Sequence, residues 1–216
     1  MPLLRQMIRT TMAATLPRRL FLVHGPVDGS SVCLTFDDGP HPENTPRVLD
    51  VLQAHNTPAT FFVIGENVQQ HPDLLRRIAA EGHAIGHHSF LHTDPDATSS
   101  RQLLAEIKQT NQLLENLIGR NSSLFRPPHG KLTAAKMLGL WRAGQKIILW
   151  NVDPKDFQSH SPVQLRQWFK SHPLSPGDLV LLHDKVEHLA KILPDVIQST
   201  RSRGLHFTTV AKWIAS

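Results

Sequence analysis

The stretch DLVLLHD, Asp178–Asp184, sets four apolar residues in a row and ends on an imidazole and a carboxylate. A strand with one face in water alternates apolar and polar residues. An unbroken apolar run is what a parallel strand buried on both faces requires. KIILWNV (146–152) repeats the pattern, and ATFFVIG (59–65) and SVCLTF (31–36) come close to it. HAIGHH (83–88), LFRPP (124–128) and LHFTTV (205–210) add shorter β-rich runs, which makes seven expected strands. Helical patterns lie between them. One covers about Pro46–His55. Another is HPDLLRRIAAEG, where Pro72 suits the first turn and Gly82 the stop. A long one spans about Ser100–Leu117, with Ser99 and Gln102 at capping-box spacing and Leu103, Ile107, Leu114, Leu117 and Ile118 on one face. Strand–helix alternation of this kind predicts an α/β fold on a parallel sheet, open or closed into a barrel.

The bulk properties narrow the function. With 216 residues and no linker or repeat, the chain is expected to be a single domain, residues 31–216, after a lead-in of residues 1–30. A net charge of +5 favours acidic partners weakly, but Lys and Arg are scattered, so no nucleic-acid stripe is expected. Fourteen His residues raise the prospect of metal chemistry. The single cysteine, Cys33, sits inside an expected strand and reads as a buried structural thiol. No apolar run approaches the ~18 residues of a membrane span. The basic N-terminal stretch lacks the apolar core of a signal peptide, which gives a cytoplasmic expectation by default, with an extracytoplasmic location open if a leader precedes the chain. Oligomeric state is not legible.

The polar residues cluster by position. Asp37 and Asp38 follow the first expected strand, and His88 and His92 the third. Arg126 ends the fourth, Asp153 and Asp156 follow the fifth, and His183 and Asp184 end the sixth. In parallel α/β folds the carboxyl ends of the strands share one face, where ligands bind. Two imidazoles and a carboxylate with an open water position suit a catalytic divalent metal such as zinc. Spacing pairs His92 with either His88 or His87, and leaves the acid as Asp38 or Asp37. Asp37 fits a general base held ionised by Arg126, and His183 a general acid oriented by Asp156. No GxSxG elbow supports a serine nucleophile.

The motifs TFDDGP (35–40), HSFLH (88–92), RPPHG (126–130), DPKDF (153–157) and LLHD (181–184), in this order, resemble those of the polysaccharide deacetylases, carbohydrate esterase family 4, the NodB-homology domain. The resemblance runs from about Val32 to the C-terminus. It implies a distorted (β/α) barrel of about seven parallel strands that removes N- or O-acetyl groups from an acetylated glycan such as chitooligosaccharide, peptidoglycan or xylan. It implies a divalent metal, zinc first, with cobalt or nickel as alternatives. The ligands would be Asp38, His88 and His92, with Asp37 as base, Arg126 paired to it, His183 as acid and Asp156 behind it. Pro128, His129, Trp150 and Leu181 would face the substrate, with Leu181 beside the acetyl methyl and the backbone near His129 at the oxyanion. His129, Phe157 and His87 stand where the family has an aromatic residue such as Tyr, Trp and Asn. A metal-dependent amidase on a small non-sugar amide is the alternative function.

Overall fold

The computed structural model describes residues 11–159 and 161–215. Among them eight strands pair in parallel: β1 (Phe21–Leu22), β2 (Ser31–Asp37), β3 (Thr60–Val63), β4 (Ala84–His87), β5 (Leu124–Phe125), β6 (Lys146–Ile148), β7 (Leu179–His183) and β8 (His206–Phe207). The order is β1-β6-β5-β4-β3-β2-β7, with β8 beside the start of β2. Past the end of β6 the chain reaches the far edge. Val152 bridges to Val180 in parallel, and Leu181 N–H donates to Val152 O at 2.9 Å. The sheet therefore curls into a distorted barrel, as expected. β1 is an eighth strand within the 1–30 segment expected to lead into the domain, so the sheet begins earlier than the sequence indicated.

Among the described residues the strands are connected or covered by helices α1 (Asn44–Ala54), α2 (Gly65–Gln70), α3 (Pro72–Ala80), α4 (Ser100–Ile118), α5 (Ala134–Arg142), α6 (Pro162–Ser171), α7 (Leu189–Ser202) and α8 (Val210–Ala215). α4 starts as its sequence predicts: Ser99 Oγ accepts from Gln102 N–H at 3.1 Å, and Gly119 ends it in the left-handed region.

Alternation along β2 decides where the chemistry goes. Val32, Leu34 and Phe36 point outward into a core shared with α1 and α7. Cys33 points inward, to a barrel interior filled by Leu22, Phe62, Leu124, Ile148 and Leu179 and plugged by Val210 and Trp213 of α8. With a two-residue period Thr35 and Asp37 also face inward, and Asp37 lies at the open mouth. Burial raises the Cys33 thiol to about 12, which makes it an inert packing group. No described helix is long and apolar enough to cross a membrane.

Candidate active site

Asp37 and His183 are register partners on adjacent strands, so their side chains leave the sheet as neighbours. Each is held from behind. Asp37 Oδ1 accepts from Arg126 Nη1 at 2.7 Å. The Arg126 guanidinium is fully buried. Its other donors go to Thr35 Oγ1 at 2.7 Å, Leu149 O at 2.8 Å and Ile148 O at 3.4 Å, and its Cζ lies 4.1 Å from the Phe62 ring centre. Planar, multiply bonded pairing of this kind fixes a carboxylate in one orientation. Asp37 Oδ2 is left facing the site, 3.7 Å from His88 Nε2.

His183 Nδ1 bonds Asp156 Oδ1 at 2.8 Å, and Asp156 Oδ2 accepts from the His183 backbone N–H at 2.7 Å. Asp156 is fully buried, so this clasp sets the ring rather than following it. Burial pulls His183 down, but the Asp156 hydrogen bond and charge, with Asp37 and Asp38, outweigh it and carry the ring above the ordinary imidazole range. Asp153, also expected near this rim, instead closes its own turn, bonding Lys155 N–H at 3.0 Å and Lys155 Nζ at 2.6 Å.

The other half of the site sits on bent backbone. Asp38, Ser89 and His92 all have positive φ (71°, 67° and 55°). Non-glycine residues hold this region only where surrounding bonds enforce it. Asn67 Nδ2 donates to Asp38 O at 2.7 Å, and Ser89 Oγ accepts from His92 N–H at 2.9 Å. The result is that Asp38 Oδ1 lies 3.6 Å from His88 Nε2 and 3.4 Å from His92 Nε2.

Those three residues fit a divalent metal. Their ligand atoms all lie within 4.8 Å of one another. Bonds of 2.0–2.1 Å in a tetrahedral site put ligand atoms about 3.3 Å apart, close to the two distances just given. Asp38 Oδ1 is buried with no hydrogen-bond partner, which is costly for a carboxylate oxygen unless a cation meets it. His88 Nδ1 donates to Arg126 O at 2.7 Å, which leaves Nε2 as the bare nitrogen. Burial, then the neighbouring His88 ring, pushes His92 down to about 4, a neutral ligand near pH 7. Burial works to raise the Asp38 carboxyl, but His88, Lys185 and His183 together hold it below the ordinary range.

His87 is excluded from this cluster. It is fully buried, bonds Gln145 Oε1 through Nε2 at 3.0 Å and packs on Phe125. Burial lowers it to about 4. The extended backbone of β4 turns neighbouring side chains to opposite sides, and His88 is the one that meets Asp38.

Of the residues expected to face the substrate, His129 is exposed and its ring lies 5.1 Å from that of His92. Pro128 and Leu181 are buried, and Trp150 is half-buried in the cluster that includes Phe125 and Leu149, against Gly130. Phe157, 49 % exposed, stands edge-on to His183 at 5.1 Å and is the apolar wall of the mouth.

Two groups near the site, Lys185 and Glu106, escaped the sequence reading, and one expected rim acid is placed elsewhere. Lys185 Nζ bonds Asp38 Oδ2 at 2.8 Å, although its position directly after LLHD placed it at the rim. Asp184 was counted among the rim acids but turns away. It is fully buried, accepts from Thr45 Oγ1 at 2.5 Å, and lies where a Cβ on Gly39 would stand. Burial raises it to about 7. Glu106, on α4, bonds the backbone between His88 and His92.

The polysaccharide deacetylase profile matches residues 24–148, more than half of the chain. The chain belongs to the polysaccharide deacetylase family. A chitooligosaccharide deacetylase of Rhizobium leguminosarum bv. trifolii is 35% identical over 188 residues, covering 87% of this chain and 84% of that protein. A peptidoglycan-N-acetylglucosamine deacetylase of Bacillus cereus is 32% identical over 194 residues, 86% of this chain and 69% of its own. The crystal structure of the Bc1960 peptidoglycan N-acetylglucosamine deacetylase superposes with a TM-score of 0.86 at 30% identity, covering 91% of this chain and 93% of that one. This polysaccharide deacetylase is therefore an enzyme of carbohydrate deacetylation. The profile match stops before Asp156 and His183, so their place in the site rests on the geometry above.

Proposed function

We propose that this polysaccharide deacetylase hydrolyses the acetamido group of N-acetylhexosamine units in a glycan, with zinc held by Asp38, His88 and His92. The observation that carries the reading is the buried, unpartnered Asp38 Oδ1 between two imidazole nitrogens, beside a separately held Asp37. A metal bound there supplies a water of lowered pKa and polarises the acetyl carbonyl. Asp37 Oδ2 takes the water's proton while Arg126 keeps Oδ1 occupied and the carboxylate in place. His183, protonated through its Asp156 partner, gives a proton to the leaving amine. Phe157 flanks the sugar at the mouth, and the buried Leu181 lies on the inward face of β7, two residues before His183. The chemistry of the named relatives, chitooligosaccharides and peptidoglycan N-acetylglucosamine, supports the N-acetyl choice over an O-acetyl ester.

Acetate release tests this. N-acetylglucosamine oligomers and peptidoglycan are expected to yield acetate with zinc present, and acetylated xylan much less. Acetate from xylan alone contradicts the N-acetyl reading, and turnover of a small non-sugar amide with none from any glycan contradicts the carbohydrate reading.

A further inference from the structure

The metal-bearing loop is gripped from a second direction by α4. Glu106, in the middle of that helix and only 7% exposed, accepts the backbone N–H groups of Phe90 at 3.1 Å and Leu91 at 3.3 Å through Oε2. These two residues lie between His88 and His92. One turn further along the same helix, Thr110 Oγ1 donates to Glu106 O at 2.9 Å and lies 3.5 Å from Ser89 O. From α2 the Gly65 N–H donates to Ser89 O at 3.1 Å and the Glu66 N–H to Phe90 O at 3.0 Å. The loop is thus bonded by two helices across the segment where Ser89 and His92 hold positive φ.

Glu106 has a second oxygen to account for. Oε1 is buried with no hydrogen-bond partner. Glu106 lines a small cavity of about 10 Å³, together with Ser89, Pro127, Pro128 and Lys136, behind the His88–His92 loop and the RPPHG turn. That volume suits about one water. Lys136, on α5 and 6% exposed, has its Nζ bonded to Pro95 O at the cavity's edge. Glu106 therefore holds two loop N–H groups on one oxygen, while the other oxygen meets no protein donor and Lys136 spends its Nζ on Pro95 O. A carboxamide in its place keeps one acceptor oxygen for the loop N–H groups, and an apolar side chain keeps none.

We propose that Glu106 is a positioning residue for the metal site, clamping the His88–His92 loop from α4. It touches no ligand side chain and acts through the loop backbone. This rests on the assignment of Asp38, His88 and His92 as ligands. Groups that orient metal ligands typically change affinity by about 10–100-fold when altered.

Two measurements test it. Zinc affinity is read by chelator competition on wild type, Glu106→Leu and Glu106→Gln. The first variant is expected to bind zinc at least ~10-fold more weakly, and the second, which keeps an acceptor oxygen for the loop amides, to retain most of the affinity. Zinc binding by wild type but equally by Glu106→Leu overturns the clamp alone. No zinc binding by wild type overturns the ligand assignment first. A variant that melts earlier yet binds zinc as tightly makes Glu106 a packing residue and overturns the proposal. Hydrogen exchange on the metal-free wild type needs no variant. The Phe90 and Leu91 amides are expected to exchange slowly although Leu91 is 52% exposed, and fast exchange at both contradicts a clamp built before metal arrives.

Discussion

The two corners of the site are made differently. The acid–base corner, Asp37 with Arg126 and His183 with Asp156, is completed by the protein itself: every bond that orients it runs between side chains and backbone already in place. It stands on regular strand ends, at β2 and β7, and inherits their register. The metal corner stands on left-handed turns and presents a carboxylate oxygen that no protein group satisfies. Its neighbours at 3.4–3.6 Å are two imidazole nitrogens. One corner is a finished hydrogen-bond network, and the other is a set of lone pairs with the spacing a cation would take. Adjacent residues of one chain, Asp37 and Asp38, are divided between them.

The division can be broken at its strongest point first. Arg126→Met removes a fully buried cation from Asp37, Thr35 and two strand carbonyls. Breaking one side of a buried pair costs about 3–5 kcal/mol, so a loss of that order in chemical denaturation is expected, together with activity. A change below about 1 kcal/mol would mean that the acid–base corner does not depend on its own network.

Asp156→Asn sharpens the comparison without removing a packed group. It takes away the charge and one of the two accepted hydrogen bonds that hold His183 above its ordinary range, leaving burial, which acts downward, opposed mainly by Asp37 and Asp38. A raised imidazole keeps its proton to higher pH. The alkaline limb of the kcat profile is therefore expected to move to lower pH in the variant, and kcat to fall by at least ~10-fold, part of the roughly 10²–10⁴ a general acid supplies. Zinc affinity should stay within about threefold, about 0.7 kcal/mol. An alkaline limb that does not move would assign the proton to another group.

The smallest effect is expected at the mouth. Phe157→Ala removes a half-exposed ring from beside His183 and is expected to raise KM by about threefold to tenfold, about 1 kcal/mol, with kcat nearly unchanged. An unchanged KM on glycan oligomers would take Phe157 out of the substrate wall.

Much of this site was legible because its residues sit directly after apolar runs. DLVLLHD and SVCLTFDD state both where the strand is buried and where it stops. What stayed hidden was set by tertiary contact. Spacing could not choose between His87 and His88, and pairing of β4 with β5 against Phe125 and Gln145 decides it. Asp184 and Asp153 looked like site acids because they share the strand ends, yet one turns behind Gly39 and the other caps its own turn. β1 is two residues long, too short to carry a period. Glu106 left a faint signal: a carboxylate three residues after Leu103 and one before Ile107, on the helix face that the apolar pattern marked as buried.

The central claim is that Asp37 and Asp38 do separate jobs, and zinc content with acetate release measured side by side on Asp37→Asn and Asp38→Asn tests it most directly. The account predicts that Asp37→Asn retains zinc and loses nearly all turnover, while Asp38→Asn loses zinc as well. Zinc lost from Asp37→Asn and kept by Asp38→Asn, or turnover surviving in Asp37→Asn, would contradict it.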